Sequence, residues 1–223
     1  MDKIDYQRVF SRVRRDNLKI VKSQIVGGVI TDNDLEVKIS NHVNRWEGVI
    51  SKDDIVREMQ TTKTVPTFLA KDPSRQNLTE GIAKEYLEQF DEIREVEILS
   101  KSGKNSWSIV DGILDKTDNF TKAEKNGHKS IDFRITLNNG KIIFAAHKYT
   151  KDTGGAQDNQ GNDLLAFVVS ADQYPDDDYL FAAIGDGEYY TDGKMDGMRE
   201  RSSKVIICNT DNFITELRRR GIL

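Results

Sequence analysis

The stretch "IDFRITLNNGKIIFAAHKYTK", residues 131–151, sets an acid and a lysine at a spacing where they could work together. Its first half alternates apolar and polar residues, Asn-Asn-Gly reverses the chain, and a second apolar run follows, the pattern of a β-hairpin. Asp132 opens the first strand, Lys148 closes the second, and Ala146 stands two residues before the lysine. Side chains at i and i+2 share a strand face, so position 146 points the same way as Lys148. Two carboxylates converging from paired strands could hold one hard cation, which takes oxygen ligands. Such a cation generates a nucleophilic water and stabilises charge on a phosphate, as phosphodiester cleavage requires. A lysine beside it would offset the developing negative charge. Ala146 is the missing part, because alanine has no metal-binding atom.

An Asp followed thirteen residues later by x–x–Lys is a weak signal alone. Here it lies between "LTEGIAKEYLEQF", a helix pattern with Ile82, Tyr86 and Phe90 in register, and "TGGAQDNQ", which opens another helix. With that placement, residues of about 74–223 resemble the PD-(D/E)XK nucleases, and among them the type II restriction endonucleases. The resemblance implies Asp132 as first metal-binding acid, Lys148 as catalytic lysine and the His147 carbonyl as a backbone ligand to Mg²⁺. It implies Glu80 as accessory acid near a second ion, with Gln157 and Gln160 approaching the site. Position 146 is where that family carries Asp or Glu, as both catalytic and metal-binding group. Either an active enzyme had its acid exchanged to leave bound DNA uncut, or a natural lineage lost or moved the acid. Double-stranded DNA would be the partner and a homodimer the natural assembly, since a two-fold axis matches a palindromic site.

The remaining elements must position this hairpin. Pro66 and Pro73 bracket "TFLAKD" and mark a boundary between a helical segment, residues 1–73, and a body of residues 74–223. In the first segment Val37, Ile39, Val43 and Trp46 read as an apolar helix stripe, and "SKDD" as a helix cap. In the body, "REVEILSKSG" and "NSWSIVDGIL" read as one strand each, and 115–129 as a polar loop. "DYLFAAIGDG" and "KVIICN" are short apolar runs of the kind found in buried strands, and "TDNFITELRRRG" is a capped terminal helix. The fold class is therefore α/β, a central mixed β-sheet flanked by helices. Asp111, at the end of an apolar run before Gly112, suits a turn better than a ligand role.

DNA would be held by phosphate contacts that position and base contacts that specify. Residues 1–75 carry 14 basic and 11 acidic side chains against 19 and 26 in the rest, so the front end is basic and the body acidic. Arg12, Arg14 and Arg15 form its densest cluster, and Arg75 and Gln76 precede the acidic helix. The stretch 186–204 reads as a glycine-hinged loop presenting Tyr189, Tyr190, Lys194, Arg199 and Arg201 to a groove. A net charge of −4 argues against a protein that coats nucleic acid indiscriminately. One cysteine excludes an internal disulfide and suits the reducing cytoplasm, and three histidines leave too few ligands for a zinc site. No apolar run reaches the roughly 20 residues of a membrane span. Three other readings stay open: a DNA-binding protein on a catalytically dead nuclease fold, a structure-specific repair or recombination nuclease, and a helical interaction domain fused to an unrelated α/β module.

Overall fold

A computed structural model describes residues 3–73, 78–124, 130–151 and 155–223, the side chains of 155–157 excepted. These residues fall into two compact units, Asp5–Leu78 and Thr79–Leu223, the second including residues 3–4.

The smaller unit holds helices α1 (Tyr6–Ser23), α2 (Asn33–Arg45), α3 (Lys52–Thr61) and α4 (Thr64–Leu69), with a ribbon of β1 (Ile25–Val26) and β2 (Val29–Ile30). Asp5, Asp32 and Ser51 each cap a helix by accepting a hydrogen bond from a first-turn N–H, and Ser51 with Asp54 completes a capping box. The core is Val21, Leu35, Ile39, Ile55 and Met59. The buried stripe of α2 is thus Leu35–Ile39, with Val43 half-buried. Val37 and Trp46, expected in it, face solvent. Val37 sits two residues before Ile39, on the far side of the helix from Leu35, Ile39 and Val43, and Trp46 lies past the last helical residue, Arg45, with non-helical backbone.

The larger unit contains α5 (Leu78–Leu87), β3 (Ile93–Ile98), β4 (Trp107–Val110), β5 (Ile113–Lys116), β6 (Phe133–Leu137), β7 (Ile142–Tyr149), α6 (Gly155–Asp172), β8 (Leu180–Asp186), α7 (Asp192–Arg199), β9 (Ile206–Cys208) and α8 (Phe213–Arg219). Five strands form one mixed sheet in the order β3-β6-β7-β8-β9. The β3/β6 and β6/β7 pairs are antiparallel, and β7/β8 and β8/β9 are parallel. Parallel neighbours need a crossover, which α6 and α7 supply.

The middle strand β7 is buried on both sides, and its residues alternate between two cores. Phe144 and Ala146 join Leu164, Phe167, Val168 and Ala171 of α6. Ile143 and Ala145 join Ala83 and Leu87 of α5 and Phe213, Ile214 and Leu217 of α8. Helices therefore cover both faces of the sheet, and burial on both sides explains the near-continuous apolar runs of β7 and β8.

Two segments differ from the sequence expectation. "NSWSIVDGIL" is not one strand; it folds back at Asp111 and Gly112, both with positive φ (47° and 78°), to pair β4 with β5. Asp-Gly is the favoured turn for such a tight hairpin, so the turn role of Asp111 has a direct physical cause. Gly27 and Gly28 do the same for the β1/β2 ribbon, inside a segment read as helical. The stretch 186–204 is not a continuous loop, because α7 occupies its middle with Met195 and Met198 buried.

Candidate active site

Register brings the expected pair together. The β6/β7 ladder matches Arg134 with Phe144 and Phe133 with Ala145 and ends there, one residue after Asp132 on the first strand and one before Ala146 on the second. Beyond Phe133 the ladder changes character. The Asp132 N–H donates to the Ala145 carbonyl at 3.0 Å, while its carbonyl accepts from Leu99 N on the β3 side at 2.9 Å. The Asp132 carboxylate, not a backbone carbonyl, accepts the His147 N–H at 2.8 Å. A buried acid thus takes the place of a ladder partner where the two strands part.

The Lys148 ammonium donates to Asp132 Oδ2 and to the His147 carbonyl, each at 3.1 Å. The Asp132 side chain is 4% exposed and that of Lys148 20%, so the pair lies at the edge of the buried sheet with the lysine reachable from solvent. Lys148, position 146 and Phe144 share one face of β7, as strand alternation requires. Ala146 is buried there and puts only a methyl group on that face.

His147 points to the other face. Its Nε2 lies 2.9 Å from Asp186 Oδ2, and its ring packs at 5.5 Å on Phe133. Asp186, at the end of β8, also accepts from the Thr210 backbone N–H at 2.9 Å and from the Thr210 hydroxyl at 2.5 Å. The network ties β7, β8 and the turn before α8 together directly beneath the Asp132–Lys148 pair. The sequence reading missed Asp186 and Thr210. The only local sign was an acid ending an apolar run, and its meaning depends on a parallel pairing that no short segment encodes.

Glu80, in the first turn of α5, is buried and already engaged. Lys101 approaches Oε1 at 2.7 Å and the Thr79 hydroxyl donates to Oε2 at 2.9 Å. Burial pushes its pKa up, but the hydrogen bonds from Lys101, from its own backbone N–H and from Thr79 outweigh that and hold the carboxyl below its usual value. Lys101 is a third residue the sequence reading missed, after Asp186 and Thr210.

The donor set tests whether Mg²⁺ would be held. Among the described residues no three His, Cys, Asp or Glu side chains converge on a metal position. The Lys148 ammonium bridges the two oxygens, Asp132 Oδ2 and the His147 carbonyl, that the resemblance assigns to the ion. One carboxylate and one carbonyl, both bonded to an ammonium, do not fit Mg²⁺, which wants near-octahedral oxygen coordination. At this end of the hairpin the described residues thus offer one carboxylate, Asp132, bonded to Lys148, and a methyl group at position 146.

The residues expected to touch DNA are placed unevenly. Arg12 and Arg15 are exposed on α1, and Arg14 pairs with Asp72 at 3.8 Å. Arg75, Gln76 and the side chain of Gln157 lie outside the described residues. Gln160 accepts a 2.7 Å hydrogen bond from the Thr150 hydroxyl, two residues beyond Lys148. Tyr189 and Tyr190 are corrected: they are core residues, not members of an exposed loop. Tyr189 donates to Asp158 at 2.9 Å and lies against Gly161, and the Tyr190 ring lies over Gly185; a Cβ on either glycine would collide with a tyrosine ring. Lys194 sits 3.1 Å above the Tyr189 ring. Arg199 braces Asp196 and the Ile207 carbonyl, while Arg201 is exposed.

No helix among the described residues is long and apolar enough to cross a membrane. Compared with protein-family models, with curated proteins and with solved structures, the chain matches none.

Proposed function

We propose that this chain is the framework of a type II restriction endonuclease, a Mg²⁺-dependent enzyme for site-specific cleavage of double-stranded DNA, with its second catalytic acid replaced by Ala146. The observation that carries the reading is the buried Asp132 bonded to Lys148, with position 146 on the same face of β7 as that lysine. Capping the His147 N–H accounts for the buried acid alone; the reading adds a role for the partly exposed ammonium that Asp132 holds. In this reading Lys148 orients the attacking water or offsets charge on the phosphate, and Asp132 with an acid at 146 holds the ion. The same geometry explains why the present chain would bind DNA without cutting it. A homodimer would place one site on each strand.

A selection experiment tests the binding half with the chain as it stands. Incubated with a pool of random duplexes, it should enrich one short sequence with two-fold symmetry over several rounds. Recovery of duplexes with no common sequence, at protein levels that retain DNA, would rule out site-specific recognition.

A further inference from the structure

The unit Asp5–Leu78 carries a groove of its own, lined by residues that belong neither to the hairpin nor to the α1 arginine cluster. It is an open cavity of about 1370 Å³ between α2 and the chain around α4. Lys38, His42 and Arg45 line one wall at i, i+4 and i+7, which puts them on one face of α2. Phe68 and Lys71 line the other. Lys38 reaches across to the Leu69 carbonyl at 3.4 Å, and Asn17 of α1 holds the Lys71 carbonyl at 2.7 Å, so both walls are braced. Among the described residues the one acid lining it is Asp72, which pairs with Arg14 at 3.8 Å.

The groove is therefore cationic, and it holds an aromatic ring presented to solvent. Phe68 is 83% exposed, whereas Leu69 beside it is turned inward. Positive charge tracking a groove, with an aromatic platform among the cations, is the chemistry that recognises single-stranded nucleic acid. The helix rises ~1.5 Å per residue, so Lys38 and Arg45 stand about 10 Å apart along its axis. That reach is long enough to meet more than one phosphate of the same strand. A paired base cannot offer its face to Phe68, because its neighbours in the duplex already stack on it.

We propose that this groove binds an unpaired stretch of DNA, with its phosphates on Lys38, Arg45 and Lys71 and one base stacked on Phe68. The inference rests on the proposed function only for the choice of DNA as the polynucleotide.

Fluorescence anisotropy on the full chain tests it, with an oligo-dT of about 16 nucleotides, within the site sizes such grooves cover, and a duplex of the same length. Phe68→Ala removes a side chain that buries almost nothing, so the fold should survive. It should weaken oligo-dT binding roughly fivefold to a hundredfold, the loss of one base stack, and leave duplex binding unchanged. Changing Lys38, Arg45 and Lys71 together to Gln should make the salt dependence of oligo-dT binding shallower by about two units of slope. Absence of oligo-dT binding at low salt would overturn the proposal. So would equal binding by parent and variants, or an equal loss for duplex and single strand. The outcome is independent of cleavage. An Ala146→Glu chain that cuts DNA, alongside an inert Phe68→Ala, would refute the groove and keep the nuclease reading. The reverse pair of results would keep the groove alone.

Discussion

Ala146→Glu should turn a chain that does not cleave DNA into one that does, by at least a thousandfold, or about 4 kcal/mol of barrier. The side chain starts on the face of β7 that carries Lys148, one residue past the Phe133–Ala145 pair, and its two methylenes should carry a carboxylate toward the aspartate that Lys148 already reaches. Lys148 then no longer bridges Asp132 and the His147 carbonyl alone, and two acids with one carbonyl can share an ion. Cleavage should need Mg²⁺, give discrete fragments from a sequence-diverse DNA, and vanish again when Asp132→Asn is added. A ladder of random fragments from the Glu variant would point to a nuclease without base reading. Silence from the variant, at protein levels that shift the same DNA in a gel, would remove the catalytic assignment.

The second large effect concerns stability. Asp186→Ala removes the acceptor for the Thr210 N–H and hydroxyl and the partner of the His147 ring, all buried. Each buried polar group left without its partner costs roughly 1–3 kcal/mol, and breaking a buried network by deleting one member costs about 3–5 kcal/mol. We expect a loss of about 3 kcal/mol. At this chain length each kcal/mol lowers Tm by roughly 2–4 °C, so Tm should fall by about 6–12 °C. Urea unfolding should show a lower midpoint with an unchanged slope. Asp186→Asn keeps an acceptor for Thr210 and should lose less than half as much. A neutral Asp186→Ala would mean that the three contacts do not hold the end of β8 to β7.

The hairpin was readable because its information is local. An Asn-Asn-Gly turn sets the register, alternation sets the faces, and together they bring Asp132 and Lys148 to one end of the hairpin and turn His147 away. The α/β architecture followed from helix patterns alternating with apolar runs. What escaped was of two kinds. The β4/β5 and β1/β2 turns carried Asp-Gly and Gly-Gly signals that longer apolar runs masked. Helix α7 contains Gly193 and Gly197, which lower its helix propensity, so a loop reading won over the Met195–Met198 stripe that actually buries it.

The other misses are tertiary. Tyr189 and Tyr190 look like adaptable contact residues, and they are buried because Gly161 and Gly185, 24 residues apart on α6 and β8, leave room for their rings. Asp186 comes under His147 only through the parallel β7/β8 pairing, which sets it beside Tyr149. Lys101 reaches Glu80 from beyond the end of β3, across 21 positions of sequence.

The central claim is that position 146 completes a divalent-cation site begun by Asp132. Calorimetric titration of Mg²⁺ into the chain as it stands, into Ala146→Glu, and into Ala146→Glu with Asp132→Asn tests it without any DNA. The account predicts saturable binding by Ala146→Glu, with a Tm that rises by the equivalent of ~2.7 kcal/mol at a hundred times Kd, and no saturable binding by the other two. Equal behaviour of all three chains, or binding that survives loss of Asp132, would contradict it.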